Sequence, residues 1–186
     1  MADVKISLDV AATEWCEGNG YRMPKSGREY TSDEWREELI GAHEKHGFFS
    51  LEDPFGENDM NAFRRLTGEI GEGCLIVGDD LFVTNTKRLE MGIRHGAGNA
   101  ILIKPNQIGT VSETLRVIEM AKKNGYAYII SHRSGDTEDT FIADLAVATA
   151  APLIKTGAPC RSERLAKYNR LLEIERTLGK GVSFGV

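Results

Sequence analysis

The sequence predicts an α/β fold built on a parallel sheet, either closed as a barrel or open and doubly wound. Three observations carry this reading. Six short, almost continuously apolar runs recur along the 186 residues, as strands covered on both faces should. A helix-patterned segment follows each run, and strict βα alternation enforces parallel pairing with right-handed crossovers. No repeat, low-complexity tract or linker interrupts the series, so it reads as one domain over 1–186.

The first run is VKISLD (4–9). After it, the Gly-rich and polar stretch EGNGYRMPKSGREYT (17–31) predicts a hairpin or loop extending from the first strand end. A helix is expected over 32–46. FFSLE (48–52) and CLIVGD (74–79) are the next strands, followed by helices over 58–70 and 86–95. AILIK (100–104) leads into GTVSETLRVIEMAKKNG, the best-marked helix. There Thr110 and Glu113 have capping-box spacing, Leu115, Ile118 and Met120 are apolar, Lys122 and Lys123 suit the C-terminal end of the dipole, and Gly125 can end the helix. YAYIIS (126–131) precedes a helix over 137–149. PLIK (152–155) precedes one over 161–178, where Leu165, Tyr168 and Leu172 fall at helical spacing and Gly179 follows. The closing GVSFGV reads as a tail.

Composition narrows the function classes. Asp plus Glu number 28 against 23 Lys plus Arg, with 41% hydrophobic residues, which argues against a nucleic-acid binder. Cys16, Cys74 and Cys160 are an odd, widely spaced set without metal-site spacing, as expected of reduced thiols in a cytoplasmic protein. The opening MADVKISLDVAA lacks a basic stretch followed by a long apolar one, and no segment approaches the roughly 18 apolar residues of a membrane span. No Gly-x-Gly-x-x-Gly or Walker-type loop follows the first strand, which weighs against a nucleotide-binding open sheet.

Each apolar run stops at, or one residue before, an ionisable group: Asp9, Glu52, Asp79, Lys104, His132 and Lys155. One such ending is ordinary for a strand leaving a core; six together point to a site, because the strand ends of a βα barrel meet on the face where active sites are built. Three carboxylates make a hard oxygen site suited to Mg²⁺. Two lysines and a histidine beside them bring positive charge to an anionic substrate. Asp53 adjoins Glu52 and Asp80 adjoins Asp79, and neighbours on a strand point to opposite faces, so residue types alone leave the ligand in each pair open. His132, Arg133 and Ser134 precede a helix expected from about Thr137, and a helix N-terminus with Arg and Ser nearby favours a phosphate. Asp136, Glu138 and Asp139 suit that helix end but repel a phosphate, leaving Arg133 to match the charge.

The motifs SLEDPF, GDDLFVTN, ILIKPNQIG, SHRSGDTEDTFIADL and IKTGAPCRSERLAKYNRLLEIE, with SLDVAATEW near the start, resemble the enolase family, the phosphopyruvate hydratases. The likeness covers essentially the whole chain. It implies a TIM-type barrel segment, six βα units of an eight-stranded barrel, lacking the family's N-terminal domain and first two barrel strands. It implies dehydration of 2-phosphoglycerate to phosphoenolpyruvate in glycolysis, with Asp9, Glu52 and Asp79 as Mg²⁺ ligands and Lys104 as the base that removes the proton next to the substrate carboxylate. His132, Arg133, Ser134 and Lys155 would contact the substrate, Arg133 and Ser134 at its phosphate. It also implies a cytoplasmic homodimer. The family's general-acid glutamate lies in the missing part, so a complementary N-terminal chain is an expected partner. The alternative is a noncatalytic half-barrel that binds phosphoglycerate or Mg²⁺, or an interaction protein.

Two departures from the family pattern stand out. Pro105 directly follows the expected base, which biases Lys104 toward an extended backbone. Pro152 and Leu153 replace a Gly-Gln pair at the start of the last strand, where a missing ladder donor is tolerated. Six strands cannot close an eight-stranded barrel, so two exposed sheet edges, with instability or association, are expected.

Overall fold

The computed structural model of the chain describes residues 4–18 and 20–179. Strand β1 (Ile6–Asp9) leads through a 3-10 turn (Ala12–Trp15) into a small antiparallel sheet of β2 (Cys16–Glu17), β3 (Gly20–Arg22) and β4 (Glu29–Thr31). That sheet is the excursion expected over 17–31. The chain then alternates: α1 (Ser32–His46), β5 (Phe48–Glu52), α2 (Met60–Ile70), β6 (Leu75–Gly78), α3 (Thr86–His95), β7 (Ala100–Ile103), α4 (Pro105–Ile108), α5 (Val111–Lys123), β8 (Ala127–Ser131), α6 (Phe141–Ala148), β9 (Leu153–Lys155) and α7 (Ser162–Leu178). The six long-range strands form one sheet in the order β1-β5-β6-β7-β8-β9, every pair parallel. The sheet curls into a half-barrel, and Lys155 at the end of its last strand reaches Asp9 at the end of its first, Nζ to Oδ2 2.9 Å.

Local signals explain most of the boundaries. Thr31 and Glu34 close a full capping box on α1: the Thr31 hydroxyl accepts the Glu34 N–H at 3.2 Å and the Glu34 carboxylate accepts the Thr31 N–H at 2.8 Å. Gly47 then ends the helix at φ 63°, a left-handed position that favours glycine. Lys104 falls outside β7. It is extended, φ −119° and ψ 96°, as a residue before proline must be, and Pro105 occupies the first position of α4. Helix α6 begins at Phe141 and not near Thr137, because Asp139 folds back and accepts the Phe141 N–H at 2.9 Å. The tail at 181–186 and residues 1–3 lie outside the described residues.

Two apolar layers sandwich the sheet. The larger packs its outer face against the helices through Leu51, Phe63, Leu66, Ile76, Phe82, Leu89, Ile101, Ile103 and Ile130. The smaller lines the concave face: Val77, Ala100, Leu102 and Ile129, with Leu75, Ala127 and Leu153 against them. As expected of an incomplete barrel, every residue of β1 is exposed, Ile6 and Leu8 included. Helix α7 departs from its sequence pattern. Leu165 and Leu172 are exposed, while Arg164 and Lys167 turn inward and are buried.

Phe82, fully buried, is the keystone of the β6–α3 packing because three glycines make room for its ring. A Cβ at Gly92 would stand 2.8 Å from Phe82 Cζ, one at Gly78 2.7 Å from Cε2, and one at Gly98 3.6 Å from Cε2. The crowding yields a double-mutant test. Gly92→Ala should destabilise the chain by about 1–3 kcal/mol through overpacking, and Phe82→Ala by about 3–5 kcal/mol through the cavity it leaves. Added to Phe82→Ala, Gly92→Ala should cost far less than it does alone, a coupling that urea denaturation of the four proteins would reveal; simple additivity would refute the account.

Candidate active site

Strand alternation fixes the membership of the site before any side-chain contact is considered. Val77, Leu102, Ile129 and Leu153 belong to the concave layer, and two residues beyond them stand Asp79, Lys104, Ser131 and Lys155, on the same face of the sheet. Glu52 pairs with Val77 and Asp9 pairs with Glu52, so both carboxylates join that face. Five of the sequence-predicted residues, Asp9, Glu52, Asp79, Lys104 and Lys155, are thereby gathered above one apolar floor. His132 follows β8, its backbone N–H donating to the Lys155 carbonyl at 3.0 Å.

The charges interlock. The Lys155 ammonium donates to both oxygens of Glu52, at 2.7 and 2.8 Å, and to Asp9 at 2.9 Å. The Lys104 ammonium donates to Asp79 Oδ2. Burial pushes the Glu52 carboxyl up despite the adjoining lysine. Burial works against the Lys155 ammonium too, but its bonds to Glu52 and Asp9 prevail and hold it charged. Asp79 Oδ1 is buried and has no hydrogen-bond partner among the described residues.

Asp53, which adjoins Glu52, proves to have a different job. Its backbone is left-handed, φ 40°, and its two oxygens accept the backbone N–H groups of Asp79 at 2.9 Å and Asp80 at 2.7 Å. It bolts the end of β5 to the end of β6. Among the described residues, the carboxylates lying within 4.8 Å of one another are those of Asp53, Asp79 and Asp80, not the expected Asp9, Glu52 and Asp79. Lys155 stands between Asp9 and Glu52. Both Asp53 oxygens are already engaged by backbone donors, whereas Asp79 Oδ1 is free, so Asp79 is better suited to a cation than Asp53. The donor set as a whole is hard oxygen, which fits a divalent cation such as Mg²⁺.

Thr84 was not singled out by sequence. Val83 and Thr84 both have positive φ, 42° and 52°, a costly arrangement for β-branched residues. It delivers the fully buried Thr84 hydroxyl to the Lys104 backbone N–H at 2.9 Å and to Gln107 Oε1 at 3.0 Å. The backbone of the lysine is therefore held by a hydroxyl as well as by its strand.

The 132–137 loop is organised differently from expectation. Arg133 and Ser134 are exposed, and since α6 starts at Phe141 no helix N-terminus adjoins them. Asp136 turns inward instead, accepting the Arg133 N–H at 3.1 Å and the Lys167 ammonium at 2.8 Å. The Arg133 guanidinium donates to Asn106 Oδ1 at 3.4 Å, which ties the loop to the segment after Lys104.

Comparison with known proteins bears on this arrangement. A family model described as enolase, C-terminal TIM barrel domain, matches residues 1–185. The enolase of Elusimicrobium minutum (strain Pei191) is 54% identical over 183 residues, which cover 98% of this chain and 43% of that protein. The enolase of Tropheryma whipplei (strain Twist) is 51% identical over 183 residues, covering 98% and 42%. The chain thus spans less than half the length of the curated relatives it matches.

Asp53 supplies a pH test. Burial pushes its carboxyl up to about 7 against the pull of the two backbone hydrogen bonds. A carboxyl raised on folding contributes stability that is fully present below its unfolded value, about 4, and lost as pH rises through the folded one. The term is on the order of 4 kcal/mol. Asp53→Asn removes this titration while keeping one carbonyl oxygen for a backbone donor. Its urea midpoint should therefore fall less steeply than that of the parent between about pH 4 and pH 8; parallel curves would contradict the burial argument.

Proposed function

This chain belongs to the enolase family as its C-terminal barrel domain, and from that premise we propose that residues 1–186 carry the proton-abstracting half of 2-phosphoglycerate dehydration to phosphoenolpyruvate. The supporting observation is that Asp9, Glu52, Asp79, Lys104 and Lys155, from five different strands or strand ends, share one face above the concave apolar layer. Opposite charges concentrated there suit a reaction that begins and ends with anions.

Lys104 takes the proton next to the substrate carboxylate at its Nζ, which requires that the amine be free of its own extra proton and turned from Asp79. Thr84 keeps the Lys104 backbone in place while the side chain moves. Lys155 faces the carboxylate on which negative charge builds up. Its ammonium, held charged by Glu52 and Asp9, offsets that charge. Arg133 and Ser134 hold the phosphate end, and His132 contacts the substrate beside them. Asp9, Glu52 and Asp79 would hold Mg²⁺, which when bound supplies the further positive charge that a dianionic intermediate needs. Protonation of the leaving hydroxide is assigned to the part of the relatives' length that this chain does not span. The same reading carries the expectation of a cytoplasmic glycolytic enzyme, dimeric in its complete form. No helix among the described residues is long and apolar enough to cross a membrane.

The test is phosphoenolpyruvate formation, followed by ultraviolet absorbance, from the purified chain with Mg²⁺ and 2-phosphoglycerate, alone and with an enolase N-terminal fragment. Turnover is expected only with the fragment, and Lys104→Ala should lower it by about 100-fold or more, the scale of a lost general base. Binding of Mg²⁺ and 2-phosphoglycerate without turnover in either mixture would favour a noncatalytic binding half-barrel. Turnover by the chain alone would mean that a residue within it protonates the leaving group.

A further inference from the structure

Helix α7 buries two cations where its sequence pattern led us to expect leucines, and both point at the 132–137 loop. Arg164 donates from one guanidinium nitrogen to His132 Nδ1 at 2.6 Å and to the Arg133 carbonyl at 3.0 Å, and from the other to the Ser134 carbonyl at 3.0 Å. Lys167, one turn on, donates to Asp136 Oδ1 and to the Glu163 carbonyl, both at 2.8 Å, and to the Thr137 carbonyl. Gly157 makes room for the arrangement. It has φ +82°, and a Cβ there would stand 3.0 Å from Arg164 Cδ and 3.1 Å from His132 Cε1.

A guanidinium has donors and no acceptor. Its partner on the imidazole must therefore present a lone pair, so Nδ1 is unprotonated and the single proton of the neutral ring sits on Nε2. We propose that Arg164 is a positioning residue that locks His132 in the neutral Nε2–H tautomer and, through the Arg133 and Ser134 carbonyls, sets the loop that carries three of the four expected substrate-binding residues, His132, Arg133 and Ser134. The role in substrate binding rests on the function proposed above; the tautomer lock does not.

The surroundings are consistent. Burial first, then the Arg164 charge, hold the His132 ring below its ordinary value; Lys155 and Lys104 add to this and Asp136 opposes it. Asp136 is itself neutralised by Lys167, which limits its opposition.

The experiment is ¹⁵N NMR of the imidazole in the full chain, the His132 signals being assigned by their absence in His132→Asn. The parent should show the Nε2–H pattern and remain neutral below the roughly pH 6.5 midpoint of a free imidazole. Arg164→Gln should yield a mixture of tautomers and move the midpoint up by about one pH unit. Arg164→Lys, which keeps the charge but not the fork, should lose the single tautomer with a smaller change in midpoint. A proton on Nδ1 in the parent would overturn the proposal with no variant needed. An unchanged tautomer and midpoint in a folded Arg164→Gln chain would do so as well. No substrate takes part, so a failure of the dehydratase reading leaves this result standing, and the reverse holds too.

Discussion

The ammonium of Lys155 is the contact on which the arrangement of this half-barrel depends. It sits at the end of the sixth strand of the sheet yet bonds to carboxylates from the first and second, joining chain segments 146 and 103 residues apart. A flat or weakly twisted sheet would hold these ends far apart, so the ion pair and the curl require each other. The pair is also demanding. Glu52 is 6% exposed, and a carboxylate that deep is tolerable only with a cation against it. Removing the lysine would leave two carboxylates facing each other with no compensating charge. The group assigned to the substrate carboxylate therefore also holds the edges of the sheet together.

Much of the fold was legible because buried parallel strands and amphipathic helices carry distinct patterns. All six apolar runs became strands of one sheet, and the polar excursion between the first strand and α1 became the small antiparallel sheet. Boundaries were less legible where local side chains intervene. Thr31 and Glu34 form a complete capping box at the same spacing as Thr110 and Glu113. The start of α6 depends on Asp139 choosing a turn over a helix, a choice that propensity leaves nearly balanced.

The site divides in the same way. Ionisable groups at strand ends are visible in sequence, but which member of an adjacent pair faces inward is not. In a doubly covered strand both faces are apolar: Ile76 packs outward and Val77 inward, and nothing in the run distinguishes them. Family likeness supplied Glu52 and Asp79; the register of β5 with β6 puts Glu52 on the concave face, opposite Val77. The supporting residues stayed hidden for a related reason. Asp53, Thr84 and Arg164 act through backbone groups and a ring nitrogen distant in sequence, and such partners leave no periodic trace. In α7 the apolar stripe of Leu165 and Leu172 was the louder signal, while the cations three residues apart, Arg164 and Lys167, were the ones that turned inward.

The bolt between Asp53 and the two backbone N–H groups of β6 gives the site unequal jaws. Glu52 and Asp79 ride on strand ends fastened to each other by those bonds as well as by the sheet ladder, so their spacing behaves like a machined gap. Asp9 rides on an exposed edge strand; the Val10 N–H to the Glu52 carbonyl at 2.9 Å and the Ala12 N–H to the Asp53 carbonyl at 3.1 Å fasten the chain just after it to β5, while its carboxylate, 47% exposed, is reached by the arm of Lys155. When charge enters or leaves this cleft, the compliance of the structure is concentrated on one side. The exposed jaw is the first strand, and the strand ends that carry Glu52 and Asp79 serve as its anvil.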